Sequence, residues 1–208
     1  MKKISLLAIL VHTFSVVNAQ VIDYSTVKMN MDMNFSQDVN IKKPSANSLC
    51  NFKFDERGFY SAQDESKDYV IYSRPNKSAA DLKSTVLSAI SSLFISPKDV
   101  VTNLGDNIIQ LERYATKVYY TETGKDLYPT DVYYSLIIQF KDGKIRYNAP
   151  SIKQLVLTDV PMVGTLKLDM SKPIATLVKK SHDRYMVADV VNKTISEINK
   201  KIITADEW

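Results

Sequence analysis

Residues 131–148 read DVYYSLIIQFKDGKIRYN, and this stretch decides the fold. Asp142-Gly143 is a two-residue hairpin signal, because a type I′ turn needs positive φ at both central positions. A turn there sets Lys141 opposite Lys144, Phe140 opposite Ile145, Ile138 opposite Tyr147 and Leu136 opposite Ala149. The last three pairs are apolar and share one face. The other face pairs Gln139 with Arg146 and Ile137 with Asn148 and is mostly wet. The register is strongly specified, since a one-residue slip would turn every apolar side chain to water. The stretch therefore predicts a sheet with one buried side.

The flanking chain supplies partners for that sheet. Residues 68–73 (DYVIYS) read as a strand. Ser78-Ala79-Ala80-Asp81 matches a capping box, and Ala79, Leu82, Val86, Ile90, Leu93 and Phe94 then recur at helical spacing until Ser96-Pro97. Residues 107–120 are rich in β-branched and aromatic residues and predict a long strand, bent near Ala115. Thr123-Gly124-Lys125 and Pro129 mark a loop before the hairpin. Residues 151–158 form a further strand after Pro150, and residues 159–172 carry no clear period. Val187, Val191, Ile195, Ile198 and Ile202 predict a closing helix. Its phase reaches upstream through Ile174, Leu177 and Ser181. It starts at Ser171-Lys172-Pro173 or breaks near Ser181-His182-Asp183, giving one kinked helix or two pieces. The economical arrangement is α+β: a two-layer sandwich of one antiparallel sheet with two helices on one face, in the order β-α-β-β-β-α.

The N-terminus reads as a leader. Lys2 and Lys3 precede a short apolar run over residues 4–11, and Val17-Asn18-Ala19 fits a cleavage site before Gln20. The run is broken by His12 and is too short to cross a bilayer, so no transmembrane segment is expected after cleavage. The expected organisation is a signal peptide over residues 1–19, an N-terminal extension over 20–66 and an α+β domain over 67–208. Within the extension, Val27, Met29, Met31, Met33 and Phe35 alternate with polar residues, which is strand periodicity. The extension either adds an edge strand or docks loosely. Losing Lys2 and Lys3 lowers the formal charge from +4 to +2, too small a balance to imply a polyanion.

The strand, the capped helix ending in Ser-Pro, the long strand and then YYSLIIQFKDGKIRY together resemble the DUF4468 family. The resemblance covers residues 67–157 and rests most on the aromatic strand followed by Lys141-Asp142-Gly143-Lys144-Ile145-Arg146-Tyr147. It implies an exported protein of Bacteroides-type bacteria (Bacteroidetes) with a TBP-like fold. The family's name declares no function, so the resemblance carries no catalytic or binding residue, and residues 20–66 fall outside it.

Composition excludes much chemistry. Beyond the leader the sole histidine is His182, which removes multi-histidine metal sites and leaves any His-dependent triad one candidate. Its place beside Asp183 at a helix start reads as exposed or capping. The glycines stand apart at 58, 105, 124, 143 and 164, so no phosphate-cradling spacing exists. Met29, Met31 and Met33 are soft ligands of the kind that suit Cu(I), yet a core-facing strand explains them as well. Cys50 cannot form an internal disulfide and reads as a buried or incidental thiol. The carboxylates Asp64, Glu65, Glu122, Asp126, Asp206 and Glu207 fall in polar stretches and define no acid–base pair. The sequons at Asn34, Asn76 and Asn192 matter only in a eukaryotic secretory route. No catalytic residue, cofactor or metal is expected.

Function therefore reads as an exported, non-enzymatic binding or interaction module of the bacterial cell envelope, periplasmic or surface-associated, meeting a protein or an envelope component. Nucleic acid is not expected, given export and near-neutral charge. The alternatives are a small-ligand carrier with a pocket between the sheet and the C-terminal helix, and a hydrolase whose site is hidden. The interaction face is the wet side of the hairpin, where Tyr133, Gln139, Arg146 and Asn148 point.

Overall fold

The computed structural model describes residues 50–206, so the leader expected over residues 1–19 and the alternating stretch with Met29, Met31 and Met33 lie outside the described residues. In chain order the elements are β1 (Phe52–Asp55), β2 (Gly58–Ser61), β3 (Tyr69–Ser73), α1 (Ala79–Leu93), α2 (Pro97–Val100), β4 (Val101–Gly105), β5 (Ile108–Thr123), β6 (Asp126–Lys141), β7 (Lys144–Asn148), β8 (Ser151–Val160), β9 (Gly164–Lys167), α3 (Ile174–Leu177) and α4 (Ser181–Asp206). The main sheet runs β3-β7-β6-β5-β4, with β8 also beside β6 and β9 beside β8. Every pairing in it is antiparallel. The fold is α+β with an antiparallel sheet, as the sequence predicts.

The β6–β7 hairpin has the register set by Asp142-Gly143. Lys141 faces Lys144, Phe140 faces Ile145, Gln139 faces Arg146 and Ile138 faces Tyr147. The expected pairs Leu136–Ala149 and Ile137–Asn148 do not form. Pro150 has no N–H to give a ladder, β7 stops at Asn148, and β8 takes over the same side of β6 with Ser135 facing Ser151. The buried face is as expected: Leu136, Ile138, Ile145 and Tyr147 are fully enclosed, and Phe140 nearly so.

Strand β5 carries the bend expected near Ala115. Ala115 faces Val132 and Tyr119 faces Thr130, so residues 116–118 bulge opposite Asp131. The Asp131 carboxylate organises the bulge, accepting the Lys117 N–H at 2.7 Å and the Tyr114 hydroxyl at 2.7 Å. The expected loop through Pro129 is instead a tight turn. Thr123 faces Asp126 and the strand resumes at once. Pro129 is tolerated because it lies just past Thr130, where the β8 ladder ends and β6 has a single neighbour. Strands β4 and β9 give no sequence signal because their side chains are mostly exposed and therefore show no alternation.

Helices α1 and α4 lie on one face. Leu82, Val86 and Ile90 of α1 and Val187, Val191, Ile195, Ile198 and Ile202 of α4 share a core with the buried side of β5, β6 and β7. Ser78 caps α1: its Oγ accepts from the Asp81 N–H at 3.1 Å and donates to the Asp81 carboxylate at 2.7 Å. The C-terminal stripe is two helical pieces. Arg184 spans the break, donating from Nε to the Val178 carbonyl at 2.8 Å and from Nη2 to the Ala175 carbonyl at 3.1 Å. Those bonds satisfy carbonyls that a helix end leaves open.

Residues 50–66 form a β1–β2 hairpin that pairs within itself and packs on α4. Phe52 is fully buried in the shared core, which is worth about 1.5–3 kcal/mol for a side chain of its size. Asn192 of α4 holds the hairpin, accepting at Oδ1 from the Asn51 and Phe52 N–H groups and donating from Nδ2 to the Phe52 carbonyl. The amide of that sequon is thus engaged inside the fold. Cys50 is exposed rather than buried, although partial desolvation still pushes its thiol up.

Candidate functional site

The sheet face turned away from α1 and α4 is built by strand alternation. Positions 133, 137 and 139 of β6 fall between the buried ones, as do 146 and 148 of β7, while Ser135 on the same side is buried. Tyr133, Gln139, Arg146 and Asn148 are all half-buried there. The structure brings three of them together. Gln139 faces Arg146 across the ladder, Arg146 faces Ile71 of β3, and Asn148 faces Tyr69. The Arg146 guanidinium lies 3.8 Å from the centroid of the Tyr69 ring, and its Nε donates to Asn148 Oδ1 at 2.7 Å. Ring and amide hold the cation in one plane from two directions.

Tyr133 belongs to a second cluster. It sits six residues from Gln139 along β6, about 20 Å at the rise of an extended strand. Its hydroxyl donates to Glu112 Oε2, and Gln110 Nε2 donates to Glu112 Oε1 at 2.7 Å. Partial desolvation, with the Glu112 bond second, pushes the Tyr133 hydroxyl up to about 12. Tyr114 faces Tyr133 and is raised the same way, by desolvation and then by Asp131. Both phenols stay neutral donors at physiological pH.

The two clusters differ in charge. Lys141 and Lys144 face each other beside Arg146, and none of the three has an acidic partner at ion-pair distance among the described residues. Glu112 and Asp131 lie in the other half. Tyr69, Gln110 and Glu112 complete the face beside Tyr114, and these three were not singled out from sequence. The alternation IIQLERYA over residues 108–115 places Gln110, Glu112 and Tyr114 on one side and would have found them. Tyr69 joins only through the pairing of β3 with β7, which no local pattern encodes.

The remaining chemistry is dispersed. His182 is exposed, while Asp183 is buried and its carboxyl is raised by desolvation. Asp64 is paired with Lys67 at 2.7 Å, Glu65 with Arg57 at 3.2 Å and Glu122 with Lys180 at 3.0 Å. No three His, Cys, Asp or Glu side chains converge among the described residues. Two open surface hollows stand out. One, of about 430 Å³, is lined by Ala79, Asn107, Phe140, Lys141 and Asp142. The other, of about 210 Å³, lies beside Arg57, Tyr60 and Lys67. Neither lies between the sheet and α4. No described helix is long and apolar enough to cross a membrane.

No protein-family model matches the chain, and no curated protein does. Among solved structures it is similar to a DUF4468 family protein from Bacteroides ovatus, at 12% identity and a TM-score of 0.40, over 64% of this chain and 84% of that one. It is also similar to a TBP-like protein from Parabacteroides distasonis, at 13% identity and a TM-score of 0.39, over 64% of this chain and 90% of that one. These descriptions name the family and the fold that the hairpin's sequence resembles.

Proposed function

We propose that the chain is an exported, non-enzymatic binding module of the bacterial cell envelope, which meets a protein or envelope component through the sheet face of Gln139, Arg146 and Asn148, with Tyr133 at its far end. The leader pattern over residues 1–19 supports export to the periplasm or the cell surface. The observation that carries the binding role is Arg146. A half-buried guanidinium is normally matched by a carboxylate; this one is oriented by Tyr69 and Asn148 and has no acidic partner among the described residues. It is prepared for a charge-assisted bond to something outside the chain.

Native mass spectrometry of the protein taken from its own envelope tests the reading. The wild type is expected to retain a polypeptide or envelope component that Arg146→Glu loses and a control, Lys98→Glu, keeps. A wild type that returns alone, or an Arg146→Glu variant that retains the same mass, would overturn it.

A further inference from the structure

The β5–β6 and β8–β9 hairpins leave the sheet at the same end. Thr130 faces Leu157, and the Thr158 hydroxyl donates to the Pro129 carbonyl at 3.3 Å, so the two tips project side by side. Large apolar side chains gather there in water. Leu127 is 61% exposed, Val163 62%, Leu166 49% and Met162 fully so. Hairpin turns ordinarily carry Gly, Asn, Asp or Ser. This one has the usual Pro161 and Gly164 but sets Met162-Val163 between them, with Met162 at φ 68, a left-handed conformation that residues with a side chain avoid. Nothing in the fold gains from putting that side chain at the tip.

We propose that these paired tips are a lipid-docking site whose occupant is a bilayer surface with anionic headgroups. Shape and charge favour this occupant. Two projecting tips offer a rigid protein far less than the roughly 800 Å² per partner of a stable interface, whereas a bilayer closes around protruding apolar groups to a depth of about 5–10 Å. Of the carboxylates near the tips, Glu122 is neutralised by Lys180 at 3.0 Å and Asp159 by Lys117 at 3.7 Å, which leaves Asp126, met by the Tyr128 hydroxyl at 3.4 Å, against two lysines. Lys125 in the turn and Lys167 on β9 have no acidic partner among the described residues. Such lysines keep their stems along the apolar surface and carry the ammonium groups to lipid phosphates.

Flotation of the chain from Gln20 with vesicles tests the assignment. The protein is expected to float with phosphatidylethanolamine–phosphatidylglycerol vesicles and weakly with phosphatidylcholine alone. The double variant Met162→Asp/Val163→Asp lowers vesicle binding by about tenfold or more, given the apolar transfer it forfeits. Lys125→Glu/Lys167→Glu lowers binding to the anionic vesicles only. Both variants keep the wild-type Tm because the changed side chains are exposed, and Lys98→Glu, at the opposite end of the sheet from the tips, floats like the wild type. A wild type that stays with the soluble fraction overturns the assignment, as does unchanged flotation of Met162→Asp/Val163→Asp. So does a dimer, seen by light scattering without lipid, that the same double variant dissolves, since the occupant is then a second copy.

Discussion

Asp142 accepts a hydrogen bond from the backbone N–H of Ala79 at 2.8 Å, across 63 residues of chain. The residue that makes the hairpin turn therefore also caps α1, whose first N–H groups have no partner within the helix. The turn is fastened a second time, because the Gly143 N–H donates to the Lys77 carbonyl at 2.8 Å and its carbonyl accepts from Arg74 at 2.7 Å. Asp142→Ala is expected to cost about 1–2 kcal/mol, the range for losing a helix cap. Asp142→Asn keeps an acceptor oxygen and the turn preference and should cost less than half of that. Urea unfolding of the two variants beside the wild type checks the order; equal losses would mean that the bond to Ala79 contributes nothing.

That bond marks where local reading of the sequence ends. Asp-Gly, the capping box at Ser78 and the alternation of residues 132–140 are short-range signals, and each leads to the observed element. The second partner of Asp142 is remote and leaves no local trace. The same limit applies to the candidate face. Alternation puts Gln139, Arg146 and Asn148 on one side, but Tyr69 reaches Arg146 only through strand order. Pro150 shows a different limit. It signals a break, and the structure uses it to hand one side of β6 from β7 to β8, so the register read outward from the turn fails from Ile137 onward.

Asn192 is expected to be the residue on which the β1–β2 hairpin depends. Its amide meets the Asn51 N–H, the Phe52 N–H and the Phe52 carbonyl at 3.1, 2.9 and 2.9 Å. Asn192→Leu leaves those backbone groups unpaired at a buried site and should cost about 2–3 kcal/mol. Hydrogen exchange then locates the loss: amides of residues 52–61 should exchange faster while those of β6 and β7 keep their order. Uniform acceleration across the sheet would show that the hairpin is not a separate cooperative unit.

The β5 bulge makes a prediction in which the larger side chain is the worse one. Lys117 sits at φ 50 and its N–H is held by Asp131. Lys117→Gly relieves the backbone but adds freedom to the unfolded chain and removes an exposed ion pair to Asp159 at 3.7 Å. These effects offset, so the change should lie within about 1 kcal/mol of the wild type. Lys117→Val cannot take that φ easily and should cost about 1–3 kcal/mol. Asp131→Ala, which strands both the Lys117 N–H and the Tyr114 hydroxyl, should cost about 2–3 kcal/mol. Thermal melts of the three variants check the ranking; a Lys117→Val protein as stable as Lys117→Gly would mean that the bulge relaxes freely.

Alkaline pH should unfold this protein through its tyrosines. Desolvation pushes Tyr119 and Tyr133 up to about 12 and also raises Tyr72, Tyr114 and Tyr147. An unfolded tyrosine titrates near 10. Below about pH 10 both states hold the phenolic protons and stability does not depend on these groups. Between about 10 and 12 the unfolded chain releases them first, the folded chain binds more protons, and stability falls as pH rises. Tm should therefore be level up to about pH 9 and drop steeply beyond 10, together with the phenolate absorbance. Tyr147 isolates the cause. Its hydroxyl is enclosed beside Asn199, yet the two do not meet at hydrogen-bonding geometry. Tyr147→Phe then removes a buried hydroxyl that makes no bond and should leave the neutral-pH Tm unchanged or slightly higher. The same variant should lose Tm more gradually above pH 10, because one fewer phenol resists ionisation in the folded state. A Tyr147→Phe protein that melts lower at pH 7 would show that the hydroxyl and Asn199 do form a bond in solution.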